Sequence, residues 1–212
     1  MKSADQMGNI HHLVFLYKIF LASPQDVVKE REIFCEVVEW VNGQLSQLNI
    51  PARLEVVGWE RYVPPDLGLP EPLILKYIPI EKCDIFVAIF WKRFGTPPGT
   101  FRTDGTPYLA GTEQEIEEAI RIRRQSDRNR PVIMIFLKTD PAPPHPSEEE
   151  IEQLHRLARF LRKFEVDSEY PALIYRFKTR ISPRRISKGF EFTIAAFLMR
   201  TVKELLAQDQ SG

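Results

Sequence analysis

The residues whose types and spacing suit chemistry gather in Ala110-Gly111-Thr112-Glu113-Gln114-Glu115-Ile116. A Thr followed three residues later by a Glu, ahead of apolar Ile116, Ala119 and Ile120, marks a helix start with Thr112 at the N-cap. On that helix Thr112, Glu115 and Ala119 stand one above another, and Glu115 falls in the first turn at the border of core and solvent. Two roles are open to it. It closes a capping box with Thr112, or it is a reactive carboxylate displayed to a ligand. The positive end of the helix favours its ionised form, while Glu113, Glu117 and Glu118 oppose it. Ser23, Trp59, Trp91 and Arg93 are the other polar or aromatic groups placed where strands end.

The elements that position these residues follow from periodicity. Residues 1–12 read as a disordered N-terminus, His11 and His12 included, and 13–208 as a single domain. Leu13–Ala22, Cys83–Trp91 and Val132–Lys138 are unbroken apolar runs, the pattern of strands buried on both faces. Arg53–Trp59 and Ala172–Phe177 are two further strands. Val27, Phe34, Val37, Val41, Leu45 and Leu48 space an amphipathic helix, with Pro24 near its start. Further helices are expected over Leu73–Tyr77, Gly111–Gln125, from Ser147 (an N-cap with Glu150 three residues on) to about Phe164, and from Phe190 to Leu205. The alternation predicts an α/β fold: a flavodoxin-like, five-stranded parallel sheet of order 2-1-3-4-5 with helices on both faces. In that order the crevice opens where strands one and three end. The Ser23 turn, Trp91–Phe94 and Glu115 are all expected there, with the long Lys92–Ala110 loop beside them.

Composition removes several classes of function. The 212 residues carry 29 Lys and Arg against 29 Asp and Glu, so no global charge draws the chain to nucleic acid or a membrane surface. The basic runs Arg121–Arg130 and Arg176–Lys188 read as solvated faces, and no direct nucleic-acid partner is expected. No apolar run is long enough to span a bilayer and no signal peptide is evident, which predicts a cytoplasmic protein with no membrane partner. Cys35 and Cys83 read as buried thiols of a reducing compartment, with no metal-ligand spacing around them. There is no Gly-x-x-x-x-Gly-Lys-Ser/Thr phosphate loop, no glycine-rich dinucleotide turn, no acidic cluster ending strand one and no Gly-x-Ser-x-Gly elbow.

Lys18-Ile19-Phe20-Leu21-Ala22-Ser23-Pro24-Gln25-Asp26, with Glu30-Arg31-Glu32, is similar to the uncharacterised TIR-like domain at the N-terminus of many NACHT-ATPase, TPR and WD-repeat proteins. Val57-Gly58-Trp59-Glu60, Cys83-Asp84-Ile85-Phe86-Val87, Arg93-Phe94-Gly95 and Thr112-Glu113-Gln114-Glu115 match it as well, so the resemblance covers roughly residues 17–138. Phe20-Leu21-Ala22-Ser23-Pro24 and Gly111-Thr112-Glu113-Gln114-Glu115-Ile116 also resemble the two signatures of nucleoside 2-deoxyribosyltransferases, whose second-signature Glu is the nucleophile. TIR-type NAD hydrolases carry their catalytic Glu on the equivalent helix. Both correspondences fall on Glu115.

The resemblance implies hydrolysis of NAD to nicotinamide and ADP-ribose in immune or defence signalling, switched on by self-association. NAD would be substrate, with no cofactor, and the partner a larger NTPase or repeat-containing chain or fusion. It leaves open a non-catalytic TIR-like interaction module and a glycosidase or deoxyribosyltransferase acting on another base. On this reading Ser23 and Thr112 hydrogen-bond the substrate, Trp59 and Trp91 stack on a ring and Arg93 meets a phosphate. Each also has a plain structural role: cap, core or solvated surface. Asp84 reads as a turn acceptor, and Glu113 replaces Glu115 if the helix starts earlier.

Overall fold

Strands without polar alternation have no face to give to water, so both must be covered. The computed structural model of the protein describes residues 13–57, 80–141, 144–166, 172–178 and 188–211. Its elements are β1 (Phe15–Ala22), α1 (Val28–Gln47), β2 (Ala52–Val57), β3 (Ile85–Phe90), α2 (Gly111–Gln125), β4 (Val132–Lys138), α3 (Glu148–Val166), β5 (Leu173–Phe177) and α4 (Lys188–Gln210). The strands pair in parallel in the order β2-β1-β3-β4-β5, as expected. Ile19 of β1 lies between Val56 of β2 and Ile85 of β3.

Strand periodicity sorts the core into two halves. Tyr17, Ile19 and Leu21 join Ile85, Val87 and Ile89 under α1 and α4. Phe20 and Ala22 join Phe86, Ala88 and Phe90 under α2 and α3. Phe20 and Phe86 stack with ring centroids 5.4 Å apart. Every residue of β3 is buried, which makes it the middle of both halves. In α1, Phe34, Val37, Val38, Val41 and Leu45 form the inward stripe. The Asn42 amide exchanges two hydrogen bonds with the Leu54 backbone, at 2.8 and 3.0 Å, fastening α1 to β2. α3 begins with the predicted capping box: the Glu150 N–H donates to Ser147 Oγ at 3.2 Å, and the Ser147 N–H to Glu150 Oε2 at 3.0 Å.

Two expectations change. Cys35 is exposed rather than buried, since it falls on the outer side of α1; Cys83 is buried, and burial pushes its thiol up to about 12, which keeps it protonated and inert. The run Arg121–Arg130 is a solvated face only in part: Arg121, Arg124 and Arg128 are exposed, while Arg130 is tucked against its partners. Arg121 pairs with Glu118, and the Arg130 guanidinium bridges Asp84 at 2.9 Å and Asp209 of α4 at 2.8 Å. Arg128 adds a contact to Asp209 at 2.9 Å, and the Tyr17 hydroxyl donates to the same carboxylate at 3.1 Å. Asp84 is an acceptor as expected: its other oxygen takes the Lys18 N–H at 3.0 Å. The physical reason is distance in sequence, since the anion that gathers these arginines arrives from the end of α4. Trp59, the Leu73–Tyr77 helix and most of the second basic run lie outside the described residues. No helix among the described residues is long and apolar enough to cross a membrane.

Arg130 is 15 % exposed and Arg128 58 %. Arg130→Met should therefore cost about 2–3 kcal/mol in urea unfolding, and Arg128→Met less than about 1 kcal/mol. Equal costs would show that the bridge does not lock this end of the sheet.

Burial, then the nearby Glu36 of α1, raises the pKa of Glu191 in α4. A raised carboxylate pKa penalises the ionised folded state, so the cost appears as pH climbs above the ordinary Glu value of about 4.3. Glu191→Gln should raise the melting temperature at pH 7 and leave it unchanged near pH 3.5. A gain of equal size at both pH values would contradict this origin.

Candidate functional site

The start of α2 differs from its sequence pattern. Ala110, in extended conformation, is the N-cap, and its side chain caps nothing. The Gly111 N–H donates to the Thr96 carbonyl at 3.0 Å, and Gln114 N–H to the Ala110 carbonyl at 3.2 Å. Glu113, the third helical residue, accepts the Leu109 N–H at 2.8 Å and pairs with Arg102 at 2.8 Å. Thr112 is thus the second residue of the helix rather than its cap; the helix starts earlier than its pattern suggests, but Glu113, the alternative carboxylate in that case, is engaged by the Leu109 N–H and Arg102. The loop decides this. Gly95, at φ +120°, brings its backbone against the helix start, where an added Cβ would lie 3.3 Å from Ala110 Cβ and 3.8 Å from Thr112 Oγ1.

Glu115 is the fifth helical residue. It lies inside the sheet-facing stripe with Thr112, Ile116 and Ala119 and is 7 % exposed, so it sits within the core side rather than at its border. A carboxylate placed there costs desolvation that a surface position would avoid.

Across the sheet end, the turn after β1 holds the loop after β3. Asp26 Oδ2 accepts the N–H groups of Lys92 and Arg93 at 3.1 and 3.0 Å. Asp26 Oδ1 and Ser23 Oγ are buried and have no hydrogen-bond partner. Gln153 of α3 takes the next two amides, Phe94 and Gly95, at 2.9 and 3.1 Å, and donates to the Gly95 carbonyl at 3.1 Å. Asp26 and Gln153 were not singled out from sequence. Asp26 had a readable signal, a carboxylate in the turn leaving the first strand. Gln153 had none, because its partners are 58 and 59 positions away.

Trp91 and Arg93 do not join Glu115. Trp91 lies two residues beyond Ile89 and packs against the cluster under α1 and α4, whereas Glu115 stands on α2 at the other face. The Trp91 Nε1–H donates to the Asp140 carbonyl at 3.1 Å, and Lys138 Nζ lies 4.3 Å from its ring centre. Lys138 is paired with buried Glu30 at 2.7 Å, and Lys92 with Glu150 at 2.6 Å. Arg93 reaches exposed Glu149 at 3.3 Å. Trp59 lies outside the described residues.

The Lys92–Ala110 loop is fastened to α2. The Arg102 guanidinium donates to both oxygens of Glu117, at 2.8 and 2.9 Å, and lies 4.4 Å over the Tyr108 ring. Thr100 Oγ1 donates to Gln114 at 2.7 Å. One hollow of about 250 Å³ lies between Trp91, Leu137, Leu154 and Leu161. A second, about 520 Å³, lies at the opposite end of the sheet among Asp84, Arg121, Arg128 and Arg130, whose charges are already paired. Among the described residues no group of three or more His, Cys, Asp or Glu is placed to hold a metal.

The chain belongs to the family described as "Domain of unknown function (DUF4062)", whose model matches residues 18–183. That description names no activity. No curated protein matches the chain. Among solved structures it is similar to the general stress protein 14 of Treponema denticola in complex with FMN, at 14 % identity and a TM-score of 0.34, over 92 % of this chain and 98 % of that one. A likeness that distant carries no argument about ligands.

Arg102→Met should release the loop while leaving the α2 core face in place. Chymotrypsin cleavage at Phe101 and Tyr108 is expected to accelerate roughly tenfold with helix content unchanged. Unchanged cleavage would mean that the Arg102 fork does not hold the loop.

Proposed function

We propose that this member of the DUF4062 family breaks the N-glycosidic bond of a nucleotide, with NAD as the leading substrate and Glu115 as the acting carboxylate. One observation carries the reading: Glu115, an ionisable carboxylate, is held on the buried, sheet-facing stripe in the first turns of α2. Parallel sheets of this order bind ligands at the carboxyl ends of strands one and three, next to this helix. The resemblance of the Ser23 and Glu115 segments to deoxyribosyltransferase and TIR-type signatures points the same way.

In the reaction the bond from C1′ to the nicotinamide nitrogen breaks, and its electron pair leaves with the ring, neutralising the pyridinium. The leaving group needs no proton. Positive charge develops on the ribosyl carbon, and an ionised Glu115 stabilises or captures it. Water then adds at C1′ and releases a proton, giving ADP-ribose. Ser23 and Thr112 supply the neighbouring hydroxyls.

Nicotinamide release by the full chain, alone and under conditions that favour self-association, tests the reading. Glu115→Gln is expected to lower the rate at least about 100-fold. Equal rates, or no release by the unsubstituted protein under any condition, would remove it. A nucleotide panel watched for base release separates NAD from another base.

The 7 % exposure of Glu115 favours a second reading, a non-catalytic module that recruits copies of itself or a larger NTPase or repeat-containing partner. Exposed Trp40, Phe101 and Phe192 offer it apolar contact points. Under it, Glu115→Gln alters stability and no nucleotide is consumed.

A further inference from the structure

Pairing a guanidinium with a carboxylate does not exhaust it, because its five N–H donors can serve more than one acceptor. The hollow of about 520 Å³ where the strands begin shows the consequence. Its wall holds four cations, Lys82, Arg121, Arg128 and Arg130, against two carboxylates, Glu81 and Asp84. Glu118 and Asp209, which complete the ion pairs, do not line it. Among the side chains of the wall, each oxygen acceptor except exposed Glu81 is engaged. Asp84 gives Oδ1 to Arg130 and Oδ2 to the Lys18 N–H, and Gln125 Oε1 takes the Arg121 guanidinium at 2.8 Å. Ser126 Oγ accepts the N–H groups of Arg128 and Arg130, both at 3.3 Å.

The donors are not used up in the same way. Arg128 spends one nitrogen on Asp209, and among the described residues Lys82 has no ion-pair partner. With its oxygen engaged, the Gln125 amide keeps its NH₂ to give, and the Ser126 hydroxyl keeps its proton. A wall with spare donors and engaged acceptors fits a ligand built of acceptors. A phosphoryl group has that chemistry: several anionic oxygens that take charge-assisted hydrogen bonds. The negative pole of α2, which ends here, opposes an anion with about half a charge. The excess of cations over carboxylates at the wall is larger than that. The volume is that of a small-molecule site. We infer that this hollow binds a small phosphate-bearing ligand, with Lys82 and Arg128 as its charged donors and Gln125 and Ser126 as its neutral ones. It lies at the end of the sheet opposite the crevice, so it is a separate site and does not rest on the glycosidase reading.

Calorimetric titration of the full chain with inorganic pyrophosphate, and in a second arm with ADP, tests the assignment. Lys82 and Arg128 are exposed, so replacing them leaves the fold intact. Lys82→Ala and Arg128→Met should each weaken pyrophosphate binding about tenfold. Glu81→Gln should strengthen it, since the substitution removes the one unengaged carboxylate from the wall. Binding should also weaken as salt is raised. If ADP binds more tightly than pyrophosphate and responds to the same substitutions, the ligand is a nucleotide; the reverse order marks a free phosphate compound. Absence of binding at millimolar pyrophosphate and ADP, or binding that survives Lys82→Ala and Arg128→Met together, would overturn the inference. Nicotinamide release is measured separately, and its presence or absence has no bearing on this hollow.

Discussion

The burial of both faces of a parallel sheet is the constraint from which the other features follow. With β3 wholly enclosed and β1 closed on both sides, side chains with charge or hydrogen-bonding work to do are driven to the strand ends or onto the helices. The two ends then meet different fates. Where the strands begin, cations and anions find each other through Arg130, Asp84 and Asp209, so the charges that line that end are paired. Where β1 and β3 finish, backbone amides of the following loop are the groups needing partners, and Asp26 and Gln153 supply them from neighbouring elements.

That second end is stitched rather than merely packed. Four consecutive amides, from Lys92 to Gly95, are held by two side chains from different elements. A loop so held can carry Gly95 close to the start of α2 and set where that helix begins. Arg102 finishes the work from the other side by joining the loop to Glu113 and Glu117. The place of Glu115 as the fifth residue of α2 is thereby a consequence of loop anchoring, because the loop sets where the helix begins.

The alternation of strand residues also separates groups that look adjacent in sequence. Trp91 follows the parity of Ile89 and belongs to the α1–α4 side, together with Lys138 and Glu30. Glu115 and Thr112 belong to the α2–α3 side. Residues converging on one end of the sheet are therefore divided between its two faces, and a ligand in contact with Glu115 is not thereby in contact with Trp91.

Much of the architecture was legible in the amino-acid sequence because its signals are local. Apolar runs marked β1, β3 and β4, three- and four-residue spacing marked α1 and α2, and Ser147 with Glu150 announced the start of α3. Such periods repeat within a few residues and need no knowledge of distant chain. Partner choice is different. Where α2 begins, whether Arg130 is solvated or bridged, and whether Asp26 holds a loop 66 and 67 positions away all depend on segments brought together only by folding. A side chain's type states what bonds it can make; the tertiary structure alone decides which of them it makes, because a hydrogen bond exists only over about 3 Å.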